Sequence, residues 1–133
     1  MTKQAGRGLA ALMVLLAVSG CARDRVQITP VPGELAQKNP GKRICIVENP
    51  RVAVSGFLPA YRAALEGWGY AVSVVEKSPA ASTCPLTTRY IAFQNGLTQL
   101  EVFWDGRPVG SAAHSAAAYS EDALKRMVQG LFP

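Results

Sequence analysis

Beyond residue 43 the apolar side chains follow first a strand, then a helix, then a second strand. Residues 44–47 form a short continuous apolar run, which is typical of a strand buried on both faces of a sheet. Ser55 is placed to cap a helix. Apolar residues then recur at helical spacing: Phe57, Tyr61, Ala64, Leu65 and Trp68. Because residues 70–75 are again strand-like, the pattern predicts two parallel strands joined by a right-handed crossover, with Trp68 buried in the helix stripe.

After a loop at residues 76–85 the apolar period becomes two, which is the period of a strand with one buried face. Three strands are predicted, at residues 87–94, 97–104 and 107–114. Asn95-Gly96 and Asp105-Gly106 join them, and both dipeptides tolerate the positive φ angles of a type I′ hairpin turn. We expect an antiparallel meander. Its last strand either lies at an edge or begins beyond Pro108, since proline has no N–H for the ladder.

The chain closes on a second amphipathic helix. Ser120 is a capping residue, and Glu121 and Asp122 add negative charge at the helix N-terminus. Apolar residues follow at helical offsets: Leu124, Met127, Val128 and Leu131. The predicted order from residue 43 is β-α-β-β-β-α, an α+β fold with one mixed sheet and two helices packed on a face.

The first twenty residues have the pattern of an export signal. Lys3 and Arg7 precede an uncharged apolar run at residues 9–18, and small residues then lead to Cys21. As a helix, that run would span roughly 15 Å, against about 30 Å for the hydrocarbon core of a bilayer. It is therefore too short to be a transmembrane anchor, and we predict a signal peptide at residues 1–20.

The segment Val18-Ser19-Gly20-Cys21 resembles the bacterial lipobox, in which cleavage exposes a cysteine that carries lipid. The resemblance implies lipidation of Cys21 with two or three acyl chains, and two membrane signals are enough for stable anchoring. Secretion without lipid is the alternative. The residue after the cysteine is Ala22 and not an aspartate. This resembles the pattern of proteobacterial lipoproteins that are exported to the outer membrane. We expect a lipid anchor in the outer membrane and a domain in the periplasm.

Cleavage before Cys21 leaves 113 of the 133 residues, enough for one domain. Residues 22–42 are rich in proline and glycine with little apolar periodicity, so residues 21–42 are predicted to be the lipidated cysteine and a tether, and residues 43–133 a single α+β domain. Residues 26–29 alternate apolar and polar. They can add a short edge strand to the domain, ended by Pro30.

The formal net charge of +5 does not indicate a nucleic-acid partner, because of where the charges lie. Most of the excess belongs to the signal and the tether. From residue 43 onward, eight basic residues stand against seven acidic ones, so the folded part is close to neutral. It has no basic face of the kind that nucleic-acid binding needs.

Three cysteines are present, and assigning Cys21 to lipid leaves Cys45 and Cys84 as one pair with one connectivity. The periplasm is oxidising and favours a bridge. A closed loop of about 40 residues would stabilise the fold by roughly 4 kcal/mol in the chain-entropy model. The alternative is a buried thiol at Cys45 and an unrelated Cys84.

Candidate catalytic groups are few. His114 is the only histidine, and a triad drawn with Ser115 and Asp122 rests on sequence proximity alone, without a Gly-x-Ser-x-Gly elbow. We interpret His114 as a surface or strand-end residue. With the cysteines assigned, too few ligands remain for zinc. We predict a protein that is not an enzyme and that has no catalytic residue, metal site or cofactor.

Two residues are candidate partner contacts. Glu48 follows an apolar strand and precedes Asn49-Pro50, at the position where α/β sheets bind ligands outside the carboxyl ends of their strands. An ordinary solvated charge is the alternative. Phe103 alternates to the face opposite Val102 and Trp104. If helices cover only one face, Phe103 is exposed for a partner, unless the tether strand or a neighbouring side chain covers it.

The run Ile44-Cys45-Ile46-Val47-Glu48-Asn49-Pro50 is followed by Phe57-Leu58, Gly69-Tyr70, Cys84 and Gly-Arg-Pro-Val-Gly at 106–110. Together these residues resemble a family of small proteobacterial envelope lipoproteins, from residue 43 to the end. The resemblance implies the same fold, an envelope location and a disulfide between the matched cysteines, and it implies no activity. We therefore expect a binding or assembly module for an unknown envelope protein. The alternative is an inhibitor of an envelope-directed hydrolase, with the loop at residues 76–85 plugging a cleft.

Overall fold

The computed structural model describes residues 25–52, 54–77, 83–116 and 119–133. The elements in these residues are β1 (Arg25–Thr29), α1 (Glu34–Lys38), β2 (Arg43–Val47), α2 (Phe57–Gly67), β3 (Ala71–Val75), β4 (Leu86–Ala92), β5 (Thr98–Trp104), β6 (Arg107–Ser115) and α3 (Glu121–Leu131). The predicted signal peptide, Cys21 and part of the loop at 76–85 lie outside the described residues.

One mixed sheet holds the six strands in the order β1-β6-β5-β4-β2-β3. β2 runs parallel to both β3 and β4, and the remaining pairs are antiparallel. The predicted strand-helix-strand unit and the predicted meander are therefore both present, joined through β2 and β4. The expected α+β fold, with one mixed sheet and helices packed against it, is confirmed.

Alternation along the strands gives the sheet two different faces. The helix face carries buried side chains such as Leu86, Thr88 and Tyr90 on β4 and Thr98, Leu100 and Val102 on β5. The outer face carries the intervening side chains, Arg89 and Ile91 on β4 and Gln99, Glu101 and Phe103 on β5. Burial on one side and exposure on the other is what a period of two dictates.

Aromatic packing joins α2 to the helix face. The predicted stripe is confirmed at Phe57, Tyr61 and Leu65, which are all buried. The Phe57 ring stacks on the Tyr90 ring with centroids 5.1 Å apart. Tyr61 also contacts the Tyr90 ring, edge-on, at 6.1 Å between centroids. Such pairs contribute about 0.5 to 1.5 kcal/mol beyond their buried area.

Two expectations for α2 are wrong. Gly56, not Ser55, is the N-cap residue, and no side chain caps the helix there. The helix ends at Gly67, one residue before Trp68, so the stripe is shorter than its spacing suggested. Trp68 is 38% exposed, and its indole Nε1 donates a hydrogen bond of 3.0 Å to the carbonyl of Phe132. Trp68 therefore lies at the rim of the core.

The segment predicted to be a tether belongs to the folded unit from Arg25 onward. β1 pairs antiparallel with β6 at the edge of the sheet, which confirms the predicted edge strand. Val31 and Leu35 are buried in the core, and the Val31 N–H donates to the carbonyl of Leu131. The predicted domain boundary at residue 43 is therefore too late, because two isolated apolar residues carry no periodic signal.

The two hairpins of the meander differ. Asp105 and Gly106 have φ angles of 51° and 78°, so the predicted type I′ turn is confirmed. At the other hairpin only Gly96 has a positive φ, and Phe93 both donates to the carbonyl of Leu97 and accepts from the N–H of Gly96. This is a three-residue loop with glycine in the left-handed position, so a type I′ turn there is wrong.

Ser120 caps α3 as predicted, accepting a hydrogen bond from the N–H of Ala123 at 3.3 Å. Pro108 lies within β6, opposite Phe103, so the strand does not begin beyond it. β1 pairs only with residues 111–115 of β6. At Pro108 the strand is therefore locally an edge, which is where a residue without an N–H is tolerated.

Candidate functional site

The outer face of the sheet carries two adjoining shallow concavities. The first has a volume of about 330 Å³ and lies where β2 diverges from β4, lined in part by Glu48, Arg89 and Gln99. The second, of about 540 Å³, runs along β5, β6 and β1, and Gln99 and Glu101 line both. Most of the lining side chains are polar or small. A continuous surface of mixed polar and apolar character therefore crosses the outer face from the end of β2 to β1.

The bridge between Cys45 and Cys84 lies on this face. Ile44 and Ile46 are part of the core, so alternation turns Cys45 to the opposite side of β2. The disulfide is present, with alpha carbons 6.2 Å apart. The predicted pairing is confirmed, and the alternative of a separate thiol at Cys45 is wrong. The bridge fastens the start of β4 to the middle of β2.

Glu48 and Asn49 follow β2, where its hydrogen bonding to β4 has ended. The Glu48 N–H donates to the carbonyl of Val75 at 2.8 Å, and its exposed side chain stands at the rim of the first concavity. Glu48 is thus located at the carboxyl end of a parallel strand, as expected. No described contact assigns its carboxylate to a fold-stabilising ion pair.

Asn49 holds this corner together. Its backbone N–H donates to the hydroxyl of Tyr90 at 3.1 Å, and its side-chain amide donates to the carbonyl of Tyr90, also at 3.1 Å. Its Oδ1 accepts from the N–H of Arg51, which forms an Asx turn. In the sequence, Asn49 is marked only by its position before Pro50. Asparagine before proline indicates a turn, but the contact with Tyr90, 41 positions away, has no local sequence signal.

Phe103 is half-buried on the outer face, beneath a neighbouring side chain. The guanidinium of Arg89 lies 5.5 Å from the centroid of its ring, a distance at which a cation and an aromatic face attract each other. Glu101 stands directly opposite Arg89 in the ladder. The two predicted contact residues therefore lie on either side of the charged pair formed by Arg89 and Glu101, with Glu48 at one end and Phe103 at the other.

His114 is not a surface residue. It lies next to the end of β6, but it is only 2% exposed and stands between Val26 of β1 and Thr98 of β5 on the helix face. Within the ranges described, no group of three or more His, Cys, Asp or Glu side chains is placed to hold a metal ion. His114, Ser115 and Asp122 are not brought together as a site by any described contact.

The buried hydroxyls stabilise the fold across the sheet. Thr88 Oγ1 donates to the carbonyl of Glu101 at 2.8 Å, so it accepts from the Tyr61 hydroxyl, 2.6 Å away. Burial raises the pKa of the Tyr61 phenol well above its ordinary value of 10.0. A phenol held neutral in this way is suited to packing and not to proton transfer near neutral pH.

The described residues thus define an α+β domain with a helix-covered core and an outer face that no described helix covers. None of its helices, over the described ranges, is long and apolar enough to cross a membrane. No protein-family model matches the chain, and neither does any curated protein.

Two solved structures are similar in fold: the PelC dodecamer from Paraburkholderia phytofirmans and a point variant of that dodecamer. Both are 13% identical to this chain and match 80% of it, with TM-scores of 0.53 and 0.54. The matches cover 98% and 96% of the respective neighbour chains. At this identity the likeness is one of fold alone.

Proposed function

We propose that this protein is a lipoprotein, anchored in the outer membrane through lipid on Cys21, whose periplasmic domain is a non-enzymatic binding or assembly module. The outer face of the sheet carries the proposal, because it presents a continuous concave surface on a rigid scaffold. Rigid elements position binding groups better than loops do. The Cys45–Cys84 bridge supports an oxidising compartment such as the periplasm.

Assembly with further copies is favoured within this proposal by the fold of the two neighbours, which are described as dodecamers. A fold that assembles in one protein supplies the same kinds of edges and faces in another. Fold alone does not specify function, so the proposal needs a partner to be identified experimentally.

An inhibitor of an envelope-directed hydrolase is the second candidate. The disulfide supports it, since the bridge pins the end of the loop at residues 76–85 to β2. A loop fixed at its base loses less entropy on entering a cleft, which favours binding.

The anchor is tested by Cys21→Ser. Lipid incorporation and membrane association should both be lost, because the mature chain then has no acyl chains to partition into the bilayer. The variant should be recovered in the periplasmic fraction. If it stays with membranes after a high-salt wash, lipid on Cys21 is not the anchor.

The binding face is tested by placing a photoreactive amino acid at Gln99, with Gln129 as the matched control. Gln99 is exposed on the outer face and Gln129 is exposed on α3. Irradiation of cells should give adducts from position 99 and few from position 129. Adducts at multiples of the protein's own mass identify assembly, and an adduct with a hydrolase identifies inhibition. Equal labelling at both positions would rule out the outer face as the binding surface.

A further inference from the structure

The geometry points to a second interaction surface: the end of the sheet that carries the β4–β5 hairpin lies against the membrane, with the side chain of Phe93 in the headgroup region. This inference rests on the proposed lipidation of Cys21. It adds an orientation and a lipid-contacting residue to an anchor that by itself specifies neither.

The first step is the length of chain between the lipid and the fold. β1 begins at Arg25, four positions after Cys21. A fully extended chain covers at most about 3.6 Å per residue, so Arg25 lies within about 14 Å of the acylated cysteine whatever path the chain takes. A tether running to residue 42 would have held the domain far from the bilayer. The observed fold brings it to the surface.

The second step is which part of the molecule Arg25 brings to the membrane. Val26 stands beside His114 of β6, which stands beside Thr98 of β5, which in turn stands beside Ala92 of β4. The row ends where the β4–β5 hairpin begins. With strands about 4.8 Å apart, the hairpin lies roughly 10 to 15 Å sideways from β1. The hairpin and the attachment point therefore share one end of the sheet.

The third step is the chemistry of that end. Phe93 is 44% exposed at the hairpin, the highest exposure among the large apolar residues described as exposed. The rest of the loop, residues 94–97, is uncharged. At the opposite end of the sheet the β5–β6 hairpin exposes Asp105 and Arg107, and the partly exposed Trp68 there is held in place by its hydrogen bond to the carbonyl of Phe132. An aromatic ring in an uncharged loop suits the membrane interface, and a charged turn suits water.

Charge does not select this end. Arg25, Arg51 and Lys77 are exposed there, but so are Glu48 and Glu76. The contact is therefore apolar, and a high-salt wash should leave it unchanged.

The test places one label at each end of the sheet in the full, lipidated protein. Cys21 is acylated and Cys45 is bridged to Cys84, so an introduced cysteine is the single reactive thiol. Gln94→Cys labels the hairpin next to Phe93, and Arg107→Cys labels the opposite hairpin; both positions are exposed. Each carries an environment-sensitive fluorophore. The protein is reconstituted into vesicles of phosphatidylethanolamine and phosphatidylglycerol that contain a lipid-borne quencher.

We expect quenching at position 94 to be several-fold stronger than at position 107. Adding Phe93→Ser should reduce quenching at position 94 to the level of position 107, while the protein stays with the vesicles through its lipid. Phe93→Trp should retain it. The side chain of Phe93 is exposed and its two hydrogen bonds are made by backbone atoms, so these variants leave the hairpin intact.

The outcomes separate the two proposals. Equal quenching at positions 94 and 107 in vesicle-bound protein would overturn the orientation and leave the anchor standing. Strong quenching at 94 that persists in Phe93→Ser would overturn the role of Phe93. Protein that carries no lipid and does not bind the vesicles would overturn the proposed function itself.

Discussion

The two faces of the sheet are built from the same strands but by different physical means. On the helix face, Leu100 and Val102 are fully buried beneath α2 and α3, and aromatic rings fill the gap. On the outer face, Gln99 and Glu101 alternate with them in the same strand and are exposed. Neighbouring residues of one strand thus alternate between packing in the core and forming the exposed surface. Apolar burial stabilises the helix face, which leaves most of the outer face able to change its surface without losing the fold.

The outer face is not the same along the whole sheet. At β2 the outer face is tied down covalently, because Cys45 bonds to Cys84 there. At β5 and β6 it has no covering element among the described residues and shows a concave surface of mixed polar and apolar character. We infer that the bridge stabilises the parallel part, whereas the antiparallel part depends mainly on packing at the helix face.

Replacing Leu100 and Gln99 in turn gives the sharpest contrast between the faces. Leu100→Ala should lower the free energy of unfolding by about 3 to 5 kcal/mol, since it leaves a cavity at a fully buried site. Gln99→Ala should change it by less than about 0.5 kcal/mol. Denaturant melts of both variants measure the difference. Similar losses for the two would mean that the outer face is also packed.

Removal of the Cys45–Cys84 disulfide tests how much this covalent link on the outer face contributes to stability. Cys45→Ala combined with Cys84→Ala should cost about 2 to 4 kcal/mol, because the unfolded chain is no longer constrained. Purified wild-type protein, unfolded without reductant, should show no alkylatable thiol at either position. Two reactive thiols in that sample would contradict the bridge.

Alkaline pH tests the buried hydroxyl of the helix face. The pKa of Tyr61 is raised in the folded state, so its contribution to stability is complete below about pH 10 and is lost as the pH rises toward the folded-state pKa. One group contributes at most about 1.4 kcal/mol per pH unit. Tyr61→Phe should flatten the loss seen in melts above pH 10. Tyr70 and Tyr119, whose pKa values burial also raises, are expected to contribute to the remaining slope.

Trp68 tests the border of the helix face and carries the smallest expected effect. Trp68→Ala should cost about 1 kcal/mol, mainly the hydrogen bond to the carbonyl of Phe132 and some rim packing. Trp68→Phe, which keeps a ring but has no N–H donor, separates the two contributions. A loss of about 3 kcal/mol or more would place the indole in the core, where the helical spacing first put it.

Much of the helix face could be predicted because its signals are local. The stripe of α2 and the alternation of β4 and β5 are periodic, and Asp105-Gly106 specifies its turn by backbone preference. The run Ile44 to Pro50 also has a physical explanation. Two isoleucines enter the core, Cys45 makes the bridge, and Asn49 fastens the end of β2 to Tyr90.

What could not be predicted depends on residues distant in sequence. The place of β1 beside β6 and the burial of Val31 and Leu35 leave no periodic trace in a segment rich in proline and glycine. The packing there is nonetheless close. A Cβ on Gly110 would come within 3.0 Å of the carbonyl oxygen of Thr29 and 3.1 Å of Leu131 Cδ1. Only the assembled fold shows why this position is glycine.

The pairing of β1 with β6 has a consequence for the order of folding. Arg25 pairs with Ser115 and Thr29 with Ser111, more than 80 positions later. The first described strand can therefore pair only after the last strand, β6, is available. Long-range pairing of this kind is slow, since loop-closure entropy precedes the contacts that offset it. In the export that we propose, β1 would be unable to close the sheet until β6 had also crossed the inner membrane. This topology would suit the proposed export, because the first described strand finds its partner only after nearly the whole chain is available.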